Sequence, residues 1–257
     1  MPPPRRANSA GPIRRPGGGE VEARIAARLA AIDWAAVTEA LDGEGFATLP
    51  ALLDRRECRA LADLYSEEAW FRSRVVMQRH AFGRGEYKYL RYPLPPLVAA
   101  LRRCLYARLA PLAELWRERL GEGSRLPPTL EGYLAQCHAA GQRRPTPLLL
   151  HYEAGDYNCL HQDLYGALVF PLQATVLLSA PERDFAGGEF VLVEQRPRAQ
   201  SRVAVVPLGQ GDCVVFAVHH RPARGVRGWY RLTMRHGVSR IRTGRRLTLG
   251  LIFHDAA

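Results

Sequence analysis

Almost no lysine, few cysteines and no long apolar run mark this sequence, and each shortage excludes something. No stretch reaches the roughly 18 consecutive apolar residues of a membrane-spanning helix. Met1 to Glu20 is basic and lacks the apolar core of a secretory signal, so a cytoplasmic location is expected. The five cysteines, Cys58, Cys104, Cys137, Cys159 and Cys213, are odd in number and scattered without metal-site spacing. That pattern argues for reduced thiols rather than a disulfide framework or a cysteine-bound metal. Cys159, two residues before His161, would share its face if a strand runs back that far. Lys88 is the sole lysine, so the net charge of +11 is carried by arginine.

What is present fits a protein with a full core. The chain has 257 residues and 47% hydrophobic content, enough for one domain with a helical layer or for two small ones. Residues 1–19 are Pro, Gly and Arg-rich, with too few apolar side chains to offset ordering entropy, and are expected to form a disordered basic tail. Residues 20–140 form the expected helical N-terminal region. Helical spacing runs from Val21 to Leu41, and Asp54 is positioned to cap a helix over 53–64. A short strand is expected over 45–50, and further helices over 95–120 and 129–140. From Pro147 onward short strands follow one another between Gly and Pro turns, which predicts a sandwich or barrel over 141–257.

Chemistry concentrates at His161-Gln162-Asp163. In a strand, positions i and i+2 share one face, so this His and Asp can grip one ion while Gln162 points away. With a second imidazole they would form a 2-His-1-carboxylate set, the donor arrangement of non-haem Fe(II) oxygenases, with positions left open for a co-substrate and O₂. Chance supplies roughly 0.3 His-x-Asp pairs in a chain of this composition, so context has to carry the motif. Upstream, Pro147 to Tyr152 reads as a strand and Glu153 to Asp156 as a turn, after which the dyad is expected to start the next strand. Downstream, 233–238 and 246–253 read as strands joined by a hairpin at Thr243-Gly244. Candidates for the second imidazole are His219, His220 and His236. Arg246 and Thr248 share a face, and a guanidinium fork beside a hydroxyl suits the far end of a dicarboxylate.

These residues resemble the Fe(II)/2-oxoglutarate-dependent dioxygenase superfamily over about 130–256. The order His161-x-Asp163, His236 and, ten residues on, Arg246 is similar to that of prolyl 4-hydroxylases. For His219 and His220 the tenth following residue is Trp229 and Tyr230. Arg246-Leu247-Thr248 also resembles the superfamily's Arg-x-Ser element. Tyr152 to Asp163 resembles AlkB-type nucleic-acid demethylases, and His151 to Asp255 resembles a bacterial group of oxygenases described as acting oxidatively on alkylated DNA. Ile252 and Leu150 stand where AlkB enzymes carry a second Arg and an Asn. The resemblance implies an α+β fold with a double-stranded β-helix (jelly-roll) core braced by N-terminal helices. It implies Fe(II) held by His161, Asp163 and His236, 2-oxoglutarate held by Arg246, Thr248 and Tyr152, and O₂ as oxidant.

Two substrates are expected from these patterns. Residues 196–246 contain twelve Arg against one acid, Asp212, a basic stretch suited to phosphate contacts and so to nucleic acid. The prolyl-hydroxylase-like ten-residue step and Ile252 suit a protein or peptide side chain instead. A non-catalytic cupin-like binding module with the same fold is the rival from another class. Tyr87-Lys88-Tyr89-Leu90-Arg91-Tyr92 interleaves aromatics with cations, as base-stacking segments do. Packing on one face is the structural alternative for its tyrosines, and its position before the core suits a substrate lid. His219-His220-Arg221 is a candidate for the substrate mouth, whereas His80, His138 and His254 read as structural histidines.

Overall fold

A computed structural model describes residues 18–123 and 125–257, so the basic tail expected over 1–19 lies outside the described residues except for Gly18 and Gly19. The single helix expected over Val21 to Leu41 is two, α1 (Gly18–Ala30) and α2 (Trp34–Glu44). Asp33 resets the chain after a turn at 31–32: its backbone is extended, and its carboxylate accepts from the amides of Ala35 and Ala36 to start α2. The apolar period runs through the break because Val21, Ile25 and Leu29 of α1 and Val37 and Leu41 of α2 all bury into one core. In α3 (Arg55–Asp63) the expected cap is a full capping box, Asp54 with Glu57. The remaining helices, α4 (Pro96–Arg119) and α5 (Leu130–Ala139), fall where the periodicity predicts them. No helix among the described residues is long and apolar enough to cross a membrane.

Among the described residues, fourteen strands form two antiparallel sheets. In chain order they are β1 (Phe46–Leu49), β2 (Phe71–Val76), β3 (Gly83–Arg84), β4 (Glu86–Leu90), β5 (Leu148–Glu153), β6 (Tyr157–His161), β7 (Leu172–Leu177) and β8 (Phe185–Gly187). There follow β9 (Phe190–Gln195), β10 (Arg202–Val206), β11 (Cys213–Ala217), β12 (His220–Gly225), β13 (Gly228–Val238) and β14 (Ile241–Leu251). The eight-stranded sheet runs β1-β11-β7-β14-β5-β4-β2, with β8 on β14. The six-stranded sheet runs β10-β9-β13-β6-β3, with β12 on β13. Two facing antiparallel sheets with crossing connections give the expected double-stranded β-helix. The 20–140 region adds three strands to the larger sheet, β1, β2 and β4, besides its helices.

Three local expectations are corrected. His161 ends β6 rather than starting a strand, so Asp163 lies in the loop before β7. The turn between the last two long strands is at Ser239-Arg240, and Thr243-Gly244 lies inside β14. There Gly244 takes a positive φ of 78°, and a Cβ would fall 2.1 Å from the Asp184 carbonyl, so a bend rather than a turn demands the glycine. Finally, Tyr87 to Leu90 is not a lid but part of β4, paired with β5 and β2 inside the larger sheet.

Candidate active site

β13 and β6 pair so that His236 faces His161 directly across the ladder, with ring centroids 4.2 Å apart. The loop after β6 brings back Asp163, whose carboxylate lies 3.6 Å from His161 Nε2 and 3.3 Å from His236 Nε2. All three donor atoms are within 4.8 Å of one another, the one such cluster among the described residues. Two imidazoles and a carboxylate on one side of a point are the donor set that suits Fe(II).

The surroundings leave these groups ready to donate to a metal ion. His161 Nδ1 lies 2.8 Å from the Cys159 carbonyl and donates to it, which leaves Nε2 free to bind. Burial alone pushes the Asp163 carboxyl up. The hydrogen bond and charge of His236, the charge of His161 and the Tyr165 hydroxyl outweigh it and hold the carboxyl well below the usual range. His236 is lowered, first by burial and then by His161. Asp163 is therefore ionised and His236 neutral near pH 7, as metal binding requires.

The cluster opens into a cavity of about 190 Å³ between the two sheets. Its walls are largely apolar, with Leu148, Leu150, Phe190, Phe216, Val238 and Ile252 among them. Phe82 stands at the rim, 47% exposed and stacked on His80. Tyr87 lines the cavity, whereas Lys88 turns to the other side of β4, buried over the Tyr65 ring and paired with Glu68. The tyrosine-lysine alternation is thus packing on two faces, as the strand alternative holds.

Arg246 and Thr248 lie side by side on β14, and the guanidinium donates to the Thr248 hydroxyl over 3.1 Å. Arg246 is 2% exposed, its Nε has no partner, and no carboxylate pairs with it among the described residues. Burial lowers its pKa to about 10, against the opposing pull of Tyr152 and Glu189. A cation this buried still carries its charge at pH 7 and calls for an anion. It lines a neighbouring cavity of about 260 Å³ with Phe185, Gly188 and Glu189, not the His161 cavity; Phe190 borders both. Tyr152 spans the gap: Arg246 lies 5.7 Å from its ring centroid, and its hydroxyl accepts from Asn158, a residue of the His161 cavity. His151, the residue preceding Tyr152, points away and stacks on Tyr65.

The other candidates are separated from this centre. His219 and His220 stack on each other at 3.5 Å in a different cavity, beside Trp116 and Leu164. Arg221 is buried against Glu194 and cannot serve a substrate mouth. His138 pairs with Asp255, and His254 accepts from the Phe170 amide. In the basic stretch, Arg196, Arg202, Arg221, Arg231 and Arg242 are paired with Glu194, Glu44, Glu122 or Glu189. Those acids lie outside 196–246, so the stretch alone overstates the free charge. Arg198, Arg224, Arg227, Arg235, Arg240 and Arg245 remain exposed.

Two residues beside the cluster carry no mark in the sequence pattern that points to it. Gln173 donates to Asp163 Oδ2 over 2.9 Å and Tyr165 to Oδ1 over 2.7 Å. A signal existed for Gln173, the one amide side chain in the buried, mostly apolar β7. Tyr165 had none.

Comparisons with known proteins agree with this geometry. The chain covers 84% of itself and 80% of the nogalamycin-biosynthesis epimerase SnoN, a non-haem α-ketoglutarate-dependent enzyme, at a TM-score of 0.53 and 16% identity. A prolyl hydroxylase from Trichoplax adhaerens gives 0.51 at 15% identity, with 90% and 89% of the two chains covered. A 2-oxoglutarate/Fe(II) oxygenase from Burkholderia pseudomallei gives 0.50 at 16%, with 88% and 93% covered. These likenesses are of fold, and Fe(II), 2-oxoglutarate and O₂ suit that fold and the His161, Asp163, His236 cluster. Uncharacterized proteins from two strains of Mycobacterium tuberculosis are 53% identical over 165 residues, 64% of this chain and 71% of theirs. Residues 85–256 match an oxygenase family described as catalysing oxidative methylation of damaged DNA, and the chain belongs to that family.

Proposed function

We propose that the chain is an Fe(II)- and 2-oxoglutarate-dependent oxygenase. In this reading His161, Asp163 and His236 hold the iron, and Arg246, Thr248 and Tyr152 hold the distal carboxylate of 2-oxoglutarate. The observation that carries it is the buried, unpaired Arg246 guanidinium on β14, a strand that also lines the cavity of the three-donor cluster. Removing one partner of a buried charge pair leaves a costly bare charge, and a dicarboxylate supplies the missing partner. The same observation argues against a non-catalytic binding module, which needs neither group.

When bound, iron with 2-oxoglutarate and O₂ supplies the oxidising power to hydroxylate a C–H bond, with succinate and CO₂ released. The chain's own residues supply the positions. His161 is oriented by the Cys159 carbonyl, and Asp163 stays ionised between its hydrogen-bond donors. Arg246 and Thr248 offer adjacent donors to one carboxylate, and Tyr152, fixed by Asn158, adds its hydroxyl. The apolar wall around the cluster keeps bulk water from the reacting carbon.

For the substrate we propose alkylated nucleic acid, supported by the family's description and by the six exposed arginines of the basic stretch that have no acidic partner among the described residues. Hydroxylation of a peptide side chain is the second reading, favoured by Ile252, 2% exposed and on the cavity wall where demethylases carry Arg. Succinate formation from 2-oxoglutarate and Fe(II), assayed with methylated single-stranded DNA and with Pro-containing peptides, tests both readings. Formaldehyde release from the DNA supports the first; a hydroxylated peptide without it supports the second. Undiminished succinate formation by folded His161→Ala or Asp163→Ala protein would overturn the iron assignment.

A further inference from the structure

Building on the iron-site reading, we infer that Gln173 and Tyr165 form a two-point clamp that orients Asp163 as a metal ligand before any metal arrives. Asp163 needs one. It sits beyond the end of β6, where no ladder hydrogen bond holds the backbone in register, and the carboxylate torsion of an aspartate is intrinsically soft. The clamp removes both freedoms by addressing the two oxygens from two directions. Tyr165, in the same loop, donates to Oδ1 over 2.7 Å, and Gln173, on β7 of the larger sheet, donates to Oδ2 over 2.9 Å. One donor leaves the carboxylate free to swing about a single bond; two on different oxygens fix its plane.

Gln173 also stands beside both sides of the cluster. Its Nε2 lies 3.3 Å from His236 Nε2 on β13 as well as within hydrogen-bond distance of Asp163 in the β6-β7 loop. The sense of the amide is set by charge: turned over, its carbonyl oxygen would face the Asp163 carboxylate. The amide nitrogen must therefore face the ligands. Its Oε1 is left buried and without a partner, a cost that a residue serving packing alone would not carry. Gln173 is 5% exposed on a strand whose other side chains are all buried, so it is held in place rather than adapting to the ligand. These are positioning residues: they act through Asp163 and not on the reacting atoms.

Co(II) binding to the full-length protein tests the clamp, with affinity measured by calorimetric titration and the ligand field by visible absorption. Wild-type protein is expected to bind one Co(II), and Asp163→Ala to bind none. Gln173→Met and Tyr165→Phe should each weaken binding about ten- to a hundredfold, as loss of a partner behind a metal ligand does. Each should also shift the Co(II) absorption bands, while apo-protein melting stays within a few degrees of wild type. A merely structural role would lower the melting temperature and leave the bands in place. Tyr165→Phe removes a single oxygen, so it decides the matter even where Gln173→Met fails to fold. Wild-type affinity and spectrum in Tyr165→Phe, with Asp163→Ala binding none, would overturn the clamp and leave the iron site standing. Normal Co(II) binding by Asp163→Ala would overturn both.

Discussion

His236 on β13 and His161 on β6 are cross-strand partners, and Asp163 closes on both from the loop that follows. A single strand pairing thus brings together two imidazoles 75 residues apart in the chain. Replacing either histidine by alanine removes one of three donors without touching the ladder hydrogen bonds. Both variants are expected to stay folded by circular dichroism, to lose stoichiometric Fe(II) or Co(II) binding, and to form no succinate above background.

Arg246 should separate stability from function. Arg246→Met replaces a buried, unpaired guanidinium by an apolar chain of similar reach, a change that is neutral or stabilising by about 1 to 4 kcal/mol. On the proposed reading, the same substitution removes a charge-assisted bond to the 2-oxoglutarate carboxylate, worth about 1.5 to 3 kcal/mol. The expected outcome is a higher melting temperature with a KM for 2-oxoglutarate raised at least about tenfold. A lower melting temperature with unchanged KM would contradict both halves.

The Arg102 and Asp255 pair braces the helical layer against the end of β14. Both are essentially inaccessible, and the Asp255 carboxylate also accepts from Tyr92 and lies 2.8 Å from His138 Nε2. Asp255→Ala strands a buried cation and is expected to cost about 3 to 5 kcal/mol in urea unfolding.

His254 should make stability depend on acid. Burial, reinforced by Arg102, lowers its pKa from 6.5 to about 4, while its Nδ1 accepts from the Phe170 amide. The folded state resists protonation that the unfolded chain accepts. The contribution is therefore fully present above about pH 6.5 and is lost as pH falls toward about 4, at up to about 1.4 kcal/mol per unit. Unfolding free energies at pH 7 and pH 5 should differ less in His254→Asn than in wild type, since the asparagine oxygen can still accept from Phe170 but does not titrate.

Much of the site was readable because its chemistry needs particular residue types at short spacing. A His-x-Asp beside a strand, a histidine ten residues before an arginine, and Arg246 two residues from Thr248 are local patterns, and local patterns survive in a linear string. The same holds for the Asp54 cap and for the apolar periods of α4 and α5, where backbone hydrogen bonds repeat within a few residues. Reading failed where a longer-range partner intervened. A turn at 31–32 splits a continuous apolar period, and the Asp33 carboxylate then captures two amides to start the second helix. Thr243-Gly244 looked like a hairpin turn because the pairing of β8 with that stretch of β14, which demands the bend, is invisible in sequence.

By itself, then, the sequence determined the donor types, the β-rich core and the arginine-borne charge, since each depends on composition or on neighbours along the chain. Tertiary structure alone decided which histidine faces His161, that five arginines of the basic stretch are paired with four acids from elsewhere in the chain, and that Gln173 and Tyr165 grip opposite oxygens of Asp163. The reason is reach. A hydrogen bond or ion pair is decided over about 3 Å in space, and those partners are separated by up to 158 residues in the chain, as Arg202 is from Glu44.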